Sequence, residues 1–266
     1  RRVLFRSGDV PLLLENDEAT ITMPRTSVAE IYDKAIIPSL TTATEWLPNK
    51  GRSGNSTPSK WAAKACLADA YMTMAGWPLN KGTEYYGLAA AQAKEWNYMT
   101  EWKIKSGEII PYTESADKLP AISKYYDYDE GAPGKSAQSN GITCIYRYAE
   151  VLLMYAEAST RATNSVNQDA LNAIQEVQKR AGYQNRQIEL TTTTEPAAFL
   201  AAVSNERGWE FFAEMKRWFE LVRLEKVKEV RAEEWDASTF NTNHHCYFPV
   251  PYQQVDLAGW TNNAGY

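Results

Sequence analysis

The stretch from Tyr146 to Arg223 constrains this chain more than any other. Tyr148, Val151, Leu152, Tyr155 and Ala156 recur at three- and four-residue spacing, while Arg147, Glu150, Glu157 and Arg161 fall elsewhere on the wheel. That pattern predicts an amphipathic helix with one buried stripe. Ala170, Leu171, Ile174 and Val177 repeat it, and Gly182 follows as a C-terminal stop. Ala156, Ala158, Ala170 and Ala173 are small enough to let two helix backbones approach closely. The two segments read as a helix hairpin of the tetratricopeptide type. A Thr191–Thr194 break comes next, and Glu195-Pro196 opens a further helix through Phe199, Val203, Trp209 and Phe212. Trp218 to Val230 continues in helix after a bend.

The residues of this stretch also carry a family resemblance. Arg147-Tyr148-Ala149-Glu150-Val151-Leu152-Leu153-Met154-Tyr155-Ala156-Glu157-Ala158, then Ala170-Leu171-Asn172 and Lys179-Arg180-Ala181-Gly182, resemble the SusD/RagB family. Glu206-Arg207-Gly208-Trp209-Glu210-Phe211 and Arg217-Trp218-Phe219-Glu220-Leu221-Val222-Arg223 agree, as do the closing Phe248-Pro249-Val250-Pro251 and Asn262-Asn263-Ala264-Gly265-Tyr266. The resemblance implies a non-catalytic, glycan-binding lipoprotein on the outer face of a Bacteroidetes-type outer membrane. Its implied partner is a TonB-dependent, SusC-like transporter, over which it acts as a capture subunit or lid. The expected fold is mainly α, with tetratricopeptide-like hairpins in a right-handed superhelix and an irregular, loop-rich region with few short strands. No cofactor is implied.

Along the rest of the chain, residues 1–7 read as translated sequencing-adapter DNA, leaving 8–266 as a single domain of a gene fragment. The signal peptide and lipid-accepting cysteine that the family places near its start are missing. Helical repeats are expected over 8–96 and 146–230, with loop-rich, partly ligand-facing segments at 97–145 and 231–266. Ser27 and Glu30 form a capping box for a helix through Ile31, Ile36 and Leu40, which Pro38 either kinks or ends. Residues 51–59 read as an exposed loop, Trp61 to Ala75 as a helix and Tyr85 to Trp96 as its hairpin partner. Residues 97–140, with Ile109-Ile110-Pro111-Tyr112 and Tyr125-Tyr126-Asp127-Tyr128, read as loops with one or two short strands. The family's insert here is longer and builds much of its glycan site; this chain offers about forty residues. Either the insert is naturally small or an internal piece has been lost near Trp96.

Composition narrows the chemistry. A formal net charge of −5 gives no basic excess with which to neutralise phosphates. Cys66, Cys144 and Cys246 are widely spaced; two could pair, but buried free thiols are the favoured state. Glu206, Glu210 and Glu214 share one helix face, whereas glycosidase carboxyls stand roughly 5–9 Å apart on opposite sides of a sugar bond. Salt bridges with Arg207 and Arg217 are the simpler expectation. His244 and His245, the only histidines, would point to opposite faces of an extended chain and match no metal-ligand spacing. Asp127, Asp129 and Glu130 before Gly131 make only part of a calcium loop. No nucleotide-binding glycine loop or nucleophile signature occurs.

Aromatic residues remain, because indole and phenol rings can stack on the C–H faces of sugars. Trp61, Trp96, Trp209 and Trp218 lie in helical patterns and are assigned to packing. Trp77, Trp102, Tyr112 and Tyr128 lie in broken segments and are the candidate ligand platforms, although a loop ring folded back on the domain would read the same way. A tetratricopeptide scaffold that binds protein and no sugar is the rival reading, and a glycosidase a weaker third.

Overall fold

The computed structural model describes residues 8–14, 17, 20, 22–49, 58–94, 145–181, 189–230 and 241–266. The chain divides into two compact units, one formed by Arg1–Trp96 with Tyr148–Tyr266 and the other by Asn97–Arg147. Of the second unit, only residues 145–147 fall among those described. The described part of the first unit is mainly helical. The expected strands at 97–140, the 1–7 segment, Cys144 and the Gly182 stop lie outside the described residues.

Asp9 and Ser27 start the first helix together: Asp9 Oδ1 accepts the Val28 N–H at 2.9 Å, and Ser27 Oγ accepts that of Glu30 at 3.3 Å. The Glu30 side chain does not return to close the box but pairs with Lys34 one turn on. This helix, α1 (Val28–Ile31), runs through a π-helical turn (Tyr32–Ile36) into α2 (Ile37–Trp46). Pro38 therefore neither ends the helix nor breaks it. Proline has no N–H to give and its ring crowds the carbonyl four residues back. Widening the preceding turn, so that Ile37 N–H reaches Tyr32 O, carries the chain past it.

Two helix hairpins follow where the periodicity placed them. The first pairs α3 (Lys60–Ala75) with α4 (Thr83–Lys94), and the second α5 (Tyr148–Thr163) with α6 (Gln168–Ala181). Alanines do much of the packing: Ala68, Ala89, Ala156, Ala158 and Ala170 are almost wholly buried. Ser59 caps α3 through the Ala62 N–H at 3.3 Å, and Asn167 Oδ1 accepts the Ala170 N–H at 2.8 Å at the start of α6. Helix α7 (Pro196–Glu210) begins as expected, with Glu195 accepting from Ala197 and Ala198 and Pro196 in the first turn. It stops before Phe212.

The expected long helix over 218–230 is instead two short ones, α8 (Arg217–Arg223) and α9 (Val227–Val230), separated where Glu225 takes a positive φ of 56°. Two more turns of helix, α10 (Thr242–His245) and α11 (Tyr252–Ala258), interrupt the C-terminal region read as irregular. Helix α5 lies at the centre, packed against α3, α4, α6 and α7.

Candidate functional site

Surrounded in this way, α5 has no solvent face through its middle. Every residue from Val151 to Thr160 is buried except Leu152, so Glu150 and Glu157, which the wheel set apart from the apolar stripe, are buried as well. A buried carboxylate needs a cation and hydrogen bonds. Arg223 of α8 supplies both to Glu157 through a fork-to-fork contact, Nη1 to Oε1 at 2.9 Å and Nη2 to Oε2 at 2.8 Å. Arg161 Nε adds a third bond at 2.9 Å. Burial alone would push the Glu157 carboxyl up, but the Arg223 guanidinium beside it holds it down at about 2. Arg223 is correspondingly raised: burial works against its charge and Glu157 more than compensates.

A second cluster surrounds Glu150. Lys216 pairs with it directly, and Arg207 lies 3.6 Å from Glu150 and 3.4 Å from Glu220. Arg217 completes the group, 3.0 Å from Glu220, and donates to Ser204 O at 2.8 Å. Burial pushes Lys216 down, against the pull of Glu150. The partners expected along α7 differ from those found. Arg207 reaches α5 and α8, Glu206 accepts from Gln178 at 3.2 Å, and Glu210 pairs with Arg180. Burial raises Glu206. These carboxylates bind helices to one another.

Glycine allows the closest approach. A Cβ on Gly76 would stand 2.5 Å from Arg223 Cγ and 2.7 Å from Arg223 O, and the next residue, Trp77, donates its N–H to that same carbonyl at 3.2 Å. The α3–α4 turn is thereby seated on the arginine that neutralises Glu157.

Of the candidate platforms, Trp77 is described and Trp102, Tyr112 and Tyr128 lie outside the described residues. The Trp77 ring packs on the cluster of Leu221, Val222, Val227 and Cys246, with its centroid 5.1 Å from that of Tyr247 and the rings tilted by 41°. Tyr247 is itself pushed up to about 12, by burial first and Asp9 second. The helical tryptophans divide. Trp61 and Trp218 are partly buried, whereas Trp209, assigned to packing, is 72% exposed. Trp209 falls in the last turn of α7, turned away from the face on which Phe199, Val203, Glu206 and Glu210 are buried.

His244 and His245 do not point apart. They sit in the turn of α10 with rings stacked 4.4 Å between centroids, and the Tyr266 ring meets His244 edge-on at 4.4 Å. Among the described residues no three His, Cys, Asp or Glu side chains group to hold a metal ion, and no helix is long and apolar enough to cross a membrane.

These features define a helical frame pinned at its centre by buried ion pairs. The SusD family model matches residues 68–266, well over half of the sequence, and the chain belongs to the SusD family. Among its relatives, a SusD-like protein of Formosa agariphila is 28% identical over 177 residues, which make up 61% of this chain and 34% of that protein. The chain thus spans about a third of the length of that relative. A SusD superfamily protein from Parabacteroides distasonis superposes with a TM-score of 0.73 at 23% identity, over 100% of this chain and 75% of that one. A surface glycan-binding protein from Bacteroides thetaiotaomicron, solved in complex with laminarihexaose, gives 0.64 at 17% identity, over 98% and 74%. The Arg223–Glu157 and Arg207–Glu150–Glu220 contacts join the two motif blocks of this sequence.

Proposed function

We propose that this chain captures an oligosaccharide non-covalently at the cell surface, as partner of a TonB-dependent, SusC-like outer-membrane transporter. Family membership carries the reading, supported by the laminarihexaose complex of a similarly folded protein. In this reading the chain has no catalytic role, and in the full-length protein it is held to the membrane by an N-terminal lipid. Trp102, Tyr112 and Tyr128 are the rings that stack on the sugar.

Isothermal titration with laminarihexaose and a panel of other oligosaccharides, beside a transporter pull-down, tests this. Heats that disappear in Trp102→Ala and Tyr128→Ala, with unchanged thermal melting, support it. Transporter capture with no heat from any glycan favours a protein-binding scaffold, and release of reducing ends from a polysaccharide revives hydrolysis.

A further inference from the structure

No residue from 251 to 266 is fully buried, yet residues 260–266 are fastened on two sides by polar contacts. On one side, Trp260 Nε1 donates to Met23 O at 3.0 Å, and Arg25 donates through Nη1 to Thr261 O and through Nη2 to Asn263 Oδ1, both at 2.9 Å. The third guanidinium nitrogen of Arg25, Nε, donates to Asp9 O at 2.7 Å. Asp9 is also the residue whose carboxylate caps α1. On the other side, Asn262 Oδ1 accepts the Val250 N–H at 2.8 Å and Asn263 Nδ2 donates to Phe248 O at 2.7 Å. Tyr266 OH donates to Tyr247 O at 3.1 Å.

Before α1, Val10 and Leu12 rest on the cluster of Val28, Ile31, Tyr32, Ala70 and Met74. Among the described residues there, the backbone makes one isolated antiparallel bridge, Val10 with Thr26. Segments held by hydrogen bonds at the surface, without a core of their own, open at lower free energy than the packed helices beside them, and they open as contiguous units.

We propose that residues 260–266 form a releasable latch, with Arg25 as its catch, that joins the segment leading into α1 to residues 247–250 and opens as one unit while the helical frame stays folded. The order of the two segments is then shared: neither stays closed without the other. The proposal stands apart from the glycan reading, because none of its residues is a candidate platform.

Hydrogen exchange read by mass spectrometry on the 266-residue chain tests it. Arg25→Gln removes the charged fork, and exchange should rise about tenfold or more over 9–28 and over 247–263 together, with α5 and α7 unchanged. Trp260→Phe keeps an aromatic ring, removes only the Nε1 donor, and should accelerate the same two stretches by a smaller factor. An increase confined to one stretch overturns the latch. So does an increase that spreads into α5, which would make the tail part of the frame.

Discussion

Replacing Glu157 by Leu and Arg223 by Met, singly and together, gives the sharpest test of how the frame is held. Both side chains are buried, 3% and 6% exposed, and are joined by two charge-assisted hydrogen bonds at 2.9 and 2.8 Å. Removing one partner strands an ion away from water, which costs about 3–5 kcal/mol. Arg161 also loses a bond in Glu157→Leu, but it is partly exposed and can turn to solvent, so its share is small. Replacing both partners removes the charge and its compensation together, and apolar replacements of similar volume are often close to neutral. The double variant should therefore lie within about 2 kcal/mol of the parent, although each single variant loses more. Urea unfolding followed by circular dichroism, with m-values compared to check for a common denatured state, reads these numbers directly. If the two single losses sum to the double loss within about 0.5 kcal/mol, the pair is not coupled, and ion pairing with Arg223 is not what holds the central helix.

Two other expectations follow from the same region. Because the Glu157 carboxyl is held at about 2, below its ordinary 4.5, its contribution is complete above pH 4.5 and is lost as the pH falls towards 2. That loss amounts to about 3 kcal/mol. Urea midpoints taken at pH 5, 4 and 3 should fall steeply for the parent and less so for the double variant. Gly76→Ala should cost about 2 kcal/mol or more, since backbone stands in the way of the new methyl. Gly87→Ala, inside α4 with its nearest neighbour 4.0 Å away, should instead stabilise by about 0.5–1 kcal/mol. Thermal melts of the two variants should move in opposite directions.

What could be read from the sequence was local. Ser27, Glu195 and Pro196 marked helix starts because a cap depends on residues within one turn of it, and the alanine spacing marked the second hairpin because packing of paired helices follows a period. Glu150 and Glu157 were misplaced for the complementary reason: a helical wheel reports which face a residue is on, not what later covers that face. Apart from Arg161, their partners lie on α7, on α8 and at Lys216 just before it, and Arg223 is 66 residues beyond Glu157. Trp209 was assigned to packing for its place in a helical pattern and is exposed because it lies off the face that Phe199, Val203, Glu206 and Glu210 bury. The rings of His244 and His245 stack because a turn of helix replaces the extended chain assumed for them. Of the candidate platforms, Trp77 alone is among the described residues, and the cluster it packs against comes from residues 221–246.

The separation between Glu157 and Arg223 bears on how the chain is made. A ribosome adding about 5–20 residues per second needs roughly 3 to 13 s to pass from one to the other. Throughout that interval Glu157 has Arg161 of its own helix as a guanidinium partner, but the buried fork from Arg223 is still to come. The first hairpin can form during translation, whereas closure of the centre must await the synthesis of α8.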